Sequence, residues 1–344
     1  MSSEVAKPPM NIGVLHFDRT SALIDGRVRL DNVNFINVPG GKPGVDGFSS
    51  GALDGADIPF ARYVLWKAAG LPITAVPIFT DRFFQHQYIY TRRDSGINGL
   101  ADLRGRRVMC APSYFSTPSF WHRALLQEEH GIEPRDIEWF SAFPEPKGTK
   151  APVKVTHAPA SMLGLERLLD GTVDVLMTAR TARLPPGQEQ AIKRVIPDAW
   201  ERQRDWAKRT GFFPIAHVLA LHNKALETRP SLAAELCGAF DESKNIAYRI
   251  LQDERMNALP LMRGYLDDTI AIWGDDPWPY GRERNRAQIA RFLQLAHDQG
   301  MVDRQLTVDE LFDNPAADYG FKARMVPGSI TSVMDGGWAL EPTV

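Results

Sequence analysis

The chain has 344 residues, more than the roughly 250–300 at which a single hydrophobic core usually divides, so we expect two lobes. Its composition is 44% hydrophobic and 24% charged, with a formal net charge of −2. These values are typical of a soluble protein and give no electrostatic reason to expect a nucleic-acid or membrane partner. Cys110 and Cys237 are the only cysteines, which argues against a disulfide framework and a cysteine-rich metal site.

The amino-terminal segment, MSSEVAKPPMNIGVLHFD, contains no apolar run of signal-peptide length. No stretch of the chain approaches the roughly 20 apolar residues of a membrane span. We therefore expect a cytoplasmic protein.

Strand-like and helix-like segments alternate along most of the chain. Strands are predicted at 11–17, 28–38, 73–79, 87–93, 106–111 and 172–178. Helices are predicted at 61–70, 117–131 and about 160–169, and the chain beyond 226 is mostly helical. The Gly- and Ser-rich segment 40–55 is predicted to be a loop. Thr117 is a plausible N-cap of the helix that ends at Gly131.

Two short segments resemble each other: LDGADIPFA at 53–61 and LDGTVDVLMTA at 169–179. Each indicates a helix end, a turn and a strand. A repeat of this kind predicts a similar α/β unit in each lobe, with mainly parallel sheets whose ligands lie at the carboxyl ends of the strands.

The segment TGFFPIAHVLALHN at 210–223 predicts a buried strand, yet it contains Pro214 and His217. Proline removes a hydrogen bond of the ladder, so Pro214 belongs at an edge or at the start of the strand. A histidine among Ile215, Val218 and Leu219 requires a polar partner. We therefore expect Pro214 at an edge or at the start of the strand and a polar group in contact with His217.

Several segments resemble the 4,5-dihydroxyphthalate decarboxylase family. They are HFDRTSALIDGRV at 16–28, PIFTDRFFQHQYIYTRRDSGI at 77–97, LADLRGRRV at 100–108, FWHRALL at 120–126, TGFFPIAHV at 210–218 and DPWPYGRERNR at 276–286. The resemblance covers roughly residues 11–312. It departs from the family at Thr80-Asp81, at Gln85 and at the segment DIPFARY, which replaces a serine-rich loop. These departures leave open whether the substrate is 4,5-dihydroxyphthalate itself.

The resemblance implies an α/β fold of the type II periplasmic-binding-protein kind, in which two lobes clamp a ligand in a cleft. Lobe 1 would contain residues 1–104 and 222–344, including the carboxyl-terminal helices, and lobe 2 would contain 105–221. The segment 210–223 would then lie near the return crossover, where a bent strand fits and His217 could face the cleft.

The implied activity is decarboxylation of a hydroxylated aromatic mono- or dicarboxylic acid without a cofactor. Such a reaction needs a proton donor for the carbon that bears the carboxylate and a dry site. His86 and His217 suit this role, because the ordinary pKa of histidine, about 6.5, lies near working pH. For His86 the alternative is a surface or capping histidine, and for His217 it is a hydrogen-bonded core histidine. His16 is a weaker catalytic candidate.

Arg19 and Arg82 are the strongest candidates for carboxylate clamps, since a guanidinium makes two parallel hydrogen bonds to a carboxylate. Each follows an aspartate, so an ion pair is the competing role. Asp18 either orients a histidine or caps a turn, and Arg62 in the diverged loop offers a further cation.

The start of the helix at 117 is a second candidate anion site, formed by free backbone N–H groups with the Ser116 and Thr117 hydroxyls. Capping alone also explains Thr117. Trp121 lies one turn further on and either stacks on an aromatic ring or packs in the core.

No metal is expected, because the histidines show no metal-binding spacing, and no nucleotide or serine-hydrolase motif occurs. A solute-binding protein of an ABC-type transporter, for a small carboxylate or aromatic ligand, is the competing function. A thiamine-pyrimidine synthase on the same fold should show a cysteine-rich motif. The expected partner is a small aromatic carboxylate; the oligomeric state stays open, a homo-oligomer included.

Overall fold

A computed structural model describes residues 9–325 of the chain except 40, 162 and 185. The strands are Met10–Val14 (β1), Val33–Asn37 (β2), Gly55–Pro59 (β3), Ile73–Val76 (β4), Ile89–Arg92 (β5), Arg107–Cys110 (β6), Glu138–Ser141 (β7), Val155–His157 (β8), Val175–Met177 (β9), Ile192–Arg194 (β10) and His217–His222 (β11).

Up to β11 the α-helices lie between strands in the chain, and beyond β11 the described elements are all helical. The α-helices are Asp18–Ile24 (α1), Gly41–Ser49 (α2), Phe60–Ala68 (α3), Thr117–His130 (α4), Leu165–Leu169 (α5), Ala199–Thr210 (α6), Asn223–Thr228 (α7), Leu232–Gln252 (α8), Met262–Trp273 (α9), Arg286–Asp298 (α10) and Val308–Leu311 (α11). Short 3₁₀ turns occur at His86–Tyr88, Leu100–Leu103, Pro134–Asp136, Glu254–Met256 and Glu283–Asn285.

The strands form two sheets, one in each lobe. The first has the order β2-β1-β3-β11-β4 and the second the order β10-β5-β9-β6-β7-β8. In the first sheet β11 is antiparallel to both β3 and β4, whereas β1 is parallel to β2 and β3. The amino end of β11 therefore lies beside the carboxyl end of β3.

The chain passes between the sheets twice, through 77–88 and 195–216. Because β5 belongs to the second sheet and β11 to the first, these crossings differ from the predicted lobe boundaries at 104/105 and 221/222. The crossings run side by side: Arg82 and Ile215 form an antiparallel bridge, and the Phe83 N–H donates to the Pro214 carbonyl at 3.3 Å. Pro214 thus lies just before its strand, where its missing N–H costs no ladder hydrogen bond.

The prediction of a loop at 40–55 is wrong, because this segment contains α2 and the start of β3. Phe48 anchors α2 in the core: its ring stacks on His222 at a centroid distance of 4.0 Å and on Trp66 at 5.8 Å. Burial of this ring outweighs the low helix propensity of the neighbouring glycines.

Gly55 is required by the close packing of β3 against its neighbours. A Cβ atom at this position would lie 2.3 Å from Leu221 Cδ2 and 3.0 Å from the Ala220 carbonyl oxygen. We predict that Gly55→Ala lowers the free energy of unfolding by about 1–3 kcal/mol, as overpacking does in other cores. Chemical denaturation measures the change. Gly99→Ala is the control, because no atom lies within 4 Å of its added Cβ; an equal loss in both variants would contradict the packing argument.

Candidate active site

The carboxyl edges of the two sheets meet, and His217 and Asp57 lie at this junction. His217 begins β11 and pairs with Pro59 of β3, two residues from Asp57 on the same strand. The two side chains therefore project on one face, and His217 Nδ1 lies 2.5 Å from Asp57 Oδ1. Asp57 is the polar partner that a histidine in this strand requires.

The other ring nitrogen of His217, Nε2, makes no hydrogen bond to any described residue, and the side chain keeps 14% of its surface exposed. Burial lowers the pKa of His217, but the charge and hydrogen bond of Asp57, together with the charge of Asp81, outweigh burial and raise it above its ordinary value. The imidazole thus favours its protonated form and can present a proton at Nε2.

Asp81 lies on the first crossover and completes an acidic pair with Asp57. Its backbone carbonyl accepts hydrogen bonds from the N–H groups of Ala216 (2.9 Å) and His217 (3.2 Å), which ties the crossover to the start of β11. Burial raises the pKa of the Asp81 carboxyl, the charges of His217 and Arg19 oppose this rise, and Asp57 adds to it. Asp57 Oδ2 is buried without a partner among the described residues.

Arg62 and Arg180 are not held by protein groups as Arg19 and Arg82 are, and of the two, Arg180 acts electrostatically on His217. Arg62, in the first turn of α3, is half-buried, and burial lowers its pKa. Arg180, after β9, is exposed, and its charge lowers the pKa of His217. Neither makes a hydrogen bond or ion pair with a described residue; Arg62 lies only over the Trp66 ring at 5.8 Å.

Arg19 is more firmly held. Its Nε donates to the Thr80 carbonyl at 2.8 Å, and its guanidinium lies 3.6 Å from the Trp278 ring centroid and 4.2 Å from that of Phe17. Asp18, which is exposed, pairs with Arg19 Nη1 at 3.1 Å and accepts the Arg19 N–H at 2.7 Å. Asp18 is the first residue of α1, whose N-cap is Phe17, and its carboxylate contacts Arg19. His16 is exposed beside this turn.

Arg82 is corrected from a carboxylate clamp to a support of the crossover. Its buried guanidinium donates to the Phe213 carbonyl at 2.8 Å, the Pro279 carbonyl at 2.7 Å and Asn285 Oδ1 at 2.7 Å. Burial lowers its pKa to about 9. These acceptors already bind the two terminal NH₂ groups with which the guanidinium would hold a substrate carboxylate.

His86 is likewise separated from the Asp57–His217 pair in its contacts. It is 2% exposed and packs against Phe84 and Trp206 of α6. Neither ring nitrogen has a hydrogen-bond partner among the described residues, and the nearest carboxylate, Glu129 of α4, lies 3.8 Å from Nε2. His86 is therefore a buried histidine in this structure and not the surface or capping histidine that was the alternative to a catalytic role.

The predicted anion site at the start of α4 is already occupied by protein groups. Ser116, not Thr117, is the N-cap position, and Thr117 Oγ1 instead accepts the Ala61 N–H of the other lobe at 3.0 Å. Glu145 accepts the N–H groups of Tyr114 and Phe115 at 2.8 and 3.0 Å. The loop before the helix thus has an internal anion.

The remaining side chains of this segment are also structural. The Ser116 hydroxyl donates to the Ser113 carbonyl at 2.7 Å, so it is not free to meet a ligand. Trp121 is buried, packs on Phe292, and donates its indole N–H to the Ile215 carbonyl at 3.0 Å. Trp121 therefore packs the core and holds the return crossover.

Asp57, Asp81 and Arg180 are absent from the sequence-based candidates. Asp57 carried a usable signal, because it is a carboxylate inside the apolar run of GADIPF. Asp81 was considered only as an ion-pair partner of Arg82. Arg180 carries no local signal, since it reaches the cluster through the tertiary fold alone.

Among residues 9–325 that are described, no three His, Cys, Asp or Glu side chains are grouped so that they could hold a metal ion. The same part of the chain contains no helix long and apolar enough to cross a membrane. Cys110 and Cys237 are buried and unpaired by disulfide.

Solved structures share this fold at low sequence identity. The periplasmic aliphatic sulphonate binding protein SsuA of Escherichia coli superposes with a TM-score of 0.55 and 14% identity, covering 89% of this chain and 97% of SsuA. Protein AF1704 of Archaeoglobus fulgidus gives 0.53 and 13% identity, with 87% of this chain and 100% of that protein covered. The fold is therefore that of the periplasmic binding proteins, as predicted.

Sequence comparison identifies relatives over most of the chain. The family model described as NMT1/THI5 like matches residues 50–145. A 4,5-dihydroxyphthalate decarboxylase of Pseudomonas putida is 28% identical over 214 residues, which cover 59% of this chain and 83% of that protein. A 4,5-dihydroxyphthalate decarboxylase of Comamonas testosteroni is 31% identical over 331 residues, 92% of this chain and 100% of that protein. The chain therefore belongs to the 4,5-dihydroxyphthalate decarboxylase family and is a carboxy-lyase.

Proposed function

We propose that the chain decarboxylates a hydroxylated aromatic acid, of the class of 4,5-dihydroxyphthalate, at the junction of its two lobes. The observation that carries this proposal is the Asp57–His217 contact of 2.5 Å beneath an open Nε2. The names of the two decarboxylase relatives support the substrate class.

Protonation of the ring carbon starts the reaction. The proton on His217 Nε2 passes to the carbon that bears the carboxylate, while a phenolic oxygen donates electron density into the ring. The bond between that carbon and the carboxyl carbon then breaks, its electron pair restores the aromatic ring, and neutral CO₂ leaves. His217 regains a proton from solvent, so one proton is consumed per turnover.

The acidic pair has two functions in this scheme. Asp57 orients the imidazole through Nδ1 and stabilises its charged form, as a carboxylate does for histidine in other acid–base sites. Asp81, whose pKa burial raises, can accept a hydrogen bond from a phenol or take up its proton. Two adjacent carboxylates with different surroundings suit two such roles.

Arg62 and Arg180 supply the cations for the substrate carboxylates. Neither pairs with a protein carboxylate among the described residues, whereas Arg19 pairs with Asp18 and Arg82 donates to carbonyl and amide oxygens. The charge of Arg180 acts on His217, and Arg62 follows the end of β3 by three residues. A dicarboxylate needs one cation for the group that stays and weaker contact with the group that leaves.

The competing function, a non-catalytic solute-binding protein, rests on the fold that SsuA shares. Fold does not determine function. Release of CO₂ separates the two proposals, because a binding protein returns its ligand unchanged.

We predict that the purified protein releases CO₂ from a hydroxylated phthalate without added cofactor, and that His217→Gln lowers kcat by roughly 10²–10⁴-fold, the usual contribution of a general acid. A CO₂ electrode or spectrophotometric loss of substrate measures the rate. His157→Gln, an exposed histidine on β8, is the matched control. Equal activity of His217→Gln and the unmodified protein would remove His217 from the mechanism.

We predict that kcat falls as pH rises through the raised pKa of His217, which lies above its ordinary value of about 6.5, because the proton donor is then lost. Asp57→Asn removes the largest interaction that raises this pKa, so the basic limb of the pH–rate profile should move to lower pH. A limb that stays in place or moves to higher pH in Asp57→Asn is incompatible with the assigned contact.

We predict that Arg62→Gln raises KM by about 10–100-fold with little change in kcat, as expected for one lost charged hydrogen bond to a substrate carboxylate. Steady-state kinetics measure both constants. Arg263→Gln is the control, since this exposed arginine of α9 pairs with Asp267 at 3.0 Å. A fall in kcat at unchanged KM would assign Arg62 to the chemical step instead.

A further inference from the structure

A partly open cavity of about 350 Å³ lies between α6, on the return crossover, and the helices α8 and α9. Its walls are mainly aromatic and aliphatic, with Phe84, Trp200, Phe213, Trp273 and Trp278 among the lining residues. His217, Asp57 and Asp81 are not among them. This volume lies in the range of small-molecule sites.

Unpartnered polar atoms accompany this apolar wall. Gln203 is 7% exposed, and its Oε1 has no hydrogen-bond partner among the described residues. The indole N–H of Trp273 and the Nε of Arg204 are also buried without a hydrogen-bond partner among the described residues. All three residues line the cavity. Buried polar groups are normally hydrogen-bonded, so these three indicate a missing partner with both a donor and an acceptor.

The charges of the cavity favour a neutral occupant. The charged residues among its described lining are Asp18, Arg19, Arg204 and Asp268. They already pair: Arg204 Nη2 lies 3.1 Å from Asp268 Oδ1, and Arg19 Nη1 lies 3.1 Å from Asp18 Oδ1. A carboxylate bound here would find both arginines of the described lining already paired with aspartates and would meet those two carboxylates.

We infer that this cavity binds a neutral, hydroxylated aromatic compound, in a site distinct from the proposed catalytic junction. The ring packs against the stacked pair of Phe84 and Phe213, whose centroids are 4.9 Å apart, and against Trp273. Phenolic hydroxyls donate to Gln203 Oε1 and accept the Trp273 indole N–H. A hydroxylated ring thereby satisfies an acceptor and a donor that lack a partner among the described residues.

Catechol is the probe that tests this site, titrated into the full chain and followed by calorimetry and by tryptophan fluorescence. We expect saturable binding that Gln203→Met weakens by about tenfold, the effect of one hydrogen bond. Toluene, which has no hydroxyl, should bind the unmodified protein and Gln203→Met alike. Ala247→Leu, which adds bulk to the cavity wall, should weaken both ligands.

The catalytic variant His217→Gln distinguishes the two sites. We expect His217→Gln to bind catechol as tightly as the unmodified protein does. If the unmodified protein binds catechol but releases no CO₂ from a hydroxylated phthalate, only the proposed function is refuted. Catechol binding that is lost in His217→Gln but unaffected by Gln203→Met and Ala247→Leu would place catechol at the junction and overturn the inference. Absence of saturable catechol binding in the unmodified protein would overturn it as well.

Discussion

The structure depends on the carboxylate of Asp57, which is buried in a central strand and compensated by His217. An unpaired carboxylate at 1% exposure would be strongly destabilising. The short contact with His217 Nδ1 offsets the free-energy cost of burying this carboxylate, and it also fixes the orientation of the imidazole. The carboxylate that stabilises the ring as a cation also leaves Nε2 protonated, so in the proposed mechanism stability and catalysis depend on one interaction.

The fold arranges the other groups around this contact. The amino end of β11 and the carboxyl ends of the neighbouring parallel strands share one edge, which meets the second sheet through the Ala61–Thr117 and Trp121–Ile215 hydrogen bonds. Arg82 holds the crossovers in place through its hydrogen bonds to the Phe213 and Pro279 carbonyls. Arg62 and Arg180 make no hydrogen bond or ion pair with a described residue, and we propose that they bind the substrate carboxylates.

Much of this arrangement was predictable from the sequence, and the failures have physical causes. The alternation of strands and helices predicted an α/β protein, and the family resemblance implied the two-lobed binding-protein fold. The apolar surroundings of His217 in the sequence predicted that it needs a polar partner, which is Asp57. Local sequence does not reveal, however, in which direction a side chain points. Arg82, His86 and Trp121 carry suitable groups, but their side chains are buried. The contact between Asp57 and His217 depends on the register between β3 and β11, which no local pattern contains. Helix α2 forms because the Phe48 ring is buried.

The most direct test of the central claim is a crystal structure with a non-reacting analogue of a hydroxylated phthalate. The account predicts that the ring carbon bearing a carboxyl group lies within about 3.5 Å of His217 Nε2, the distance of a near-attack geometry. It also predicts that Arg62 or Arg180 contacts a carboxylate. An analogue whose ring lies away from His217, with the imidazole facing only protein or water, would contradict the account.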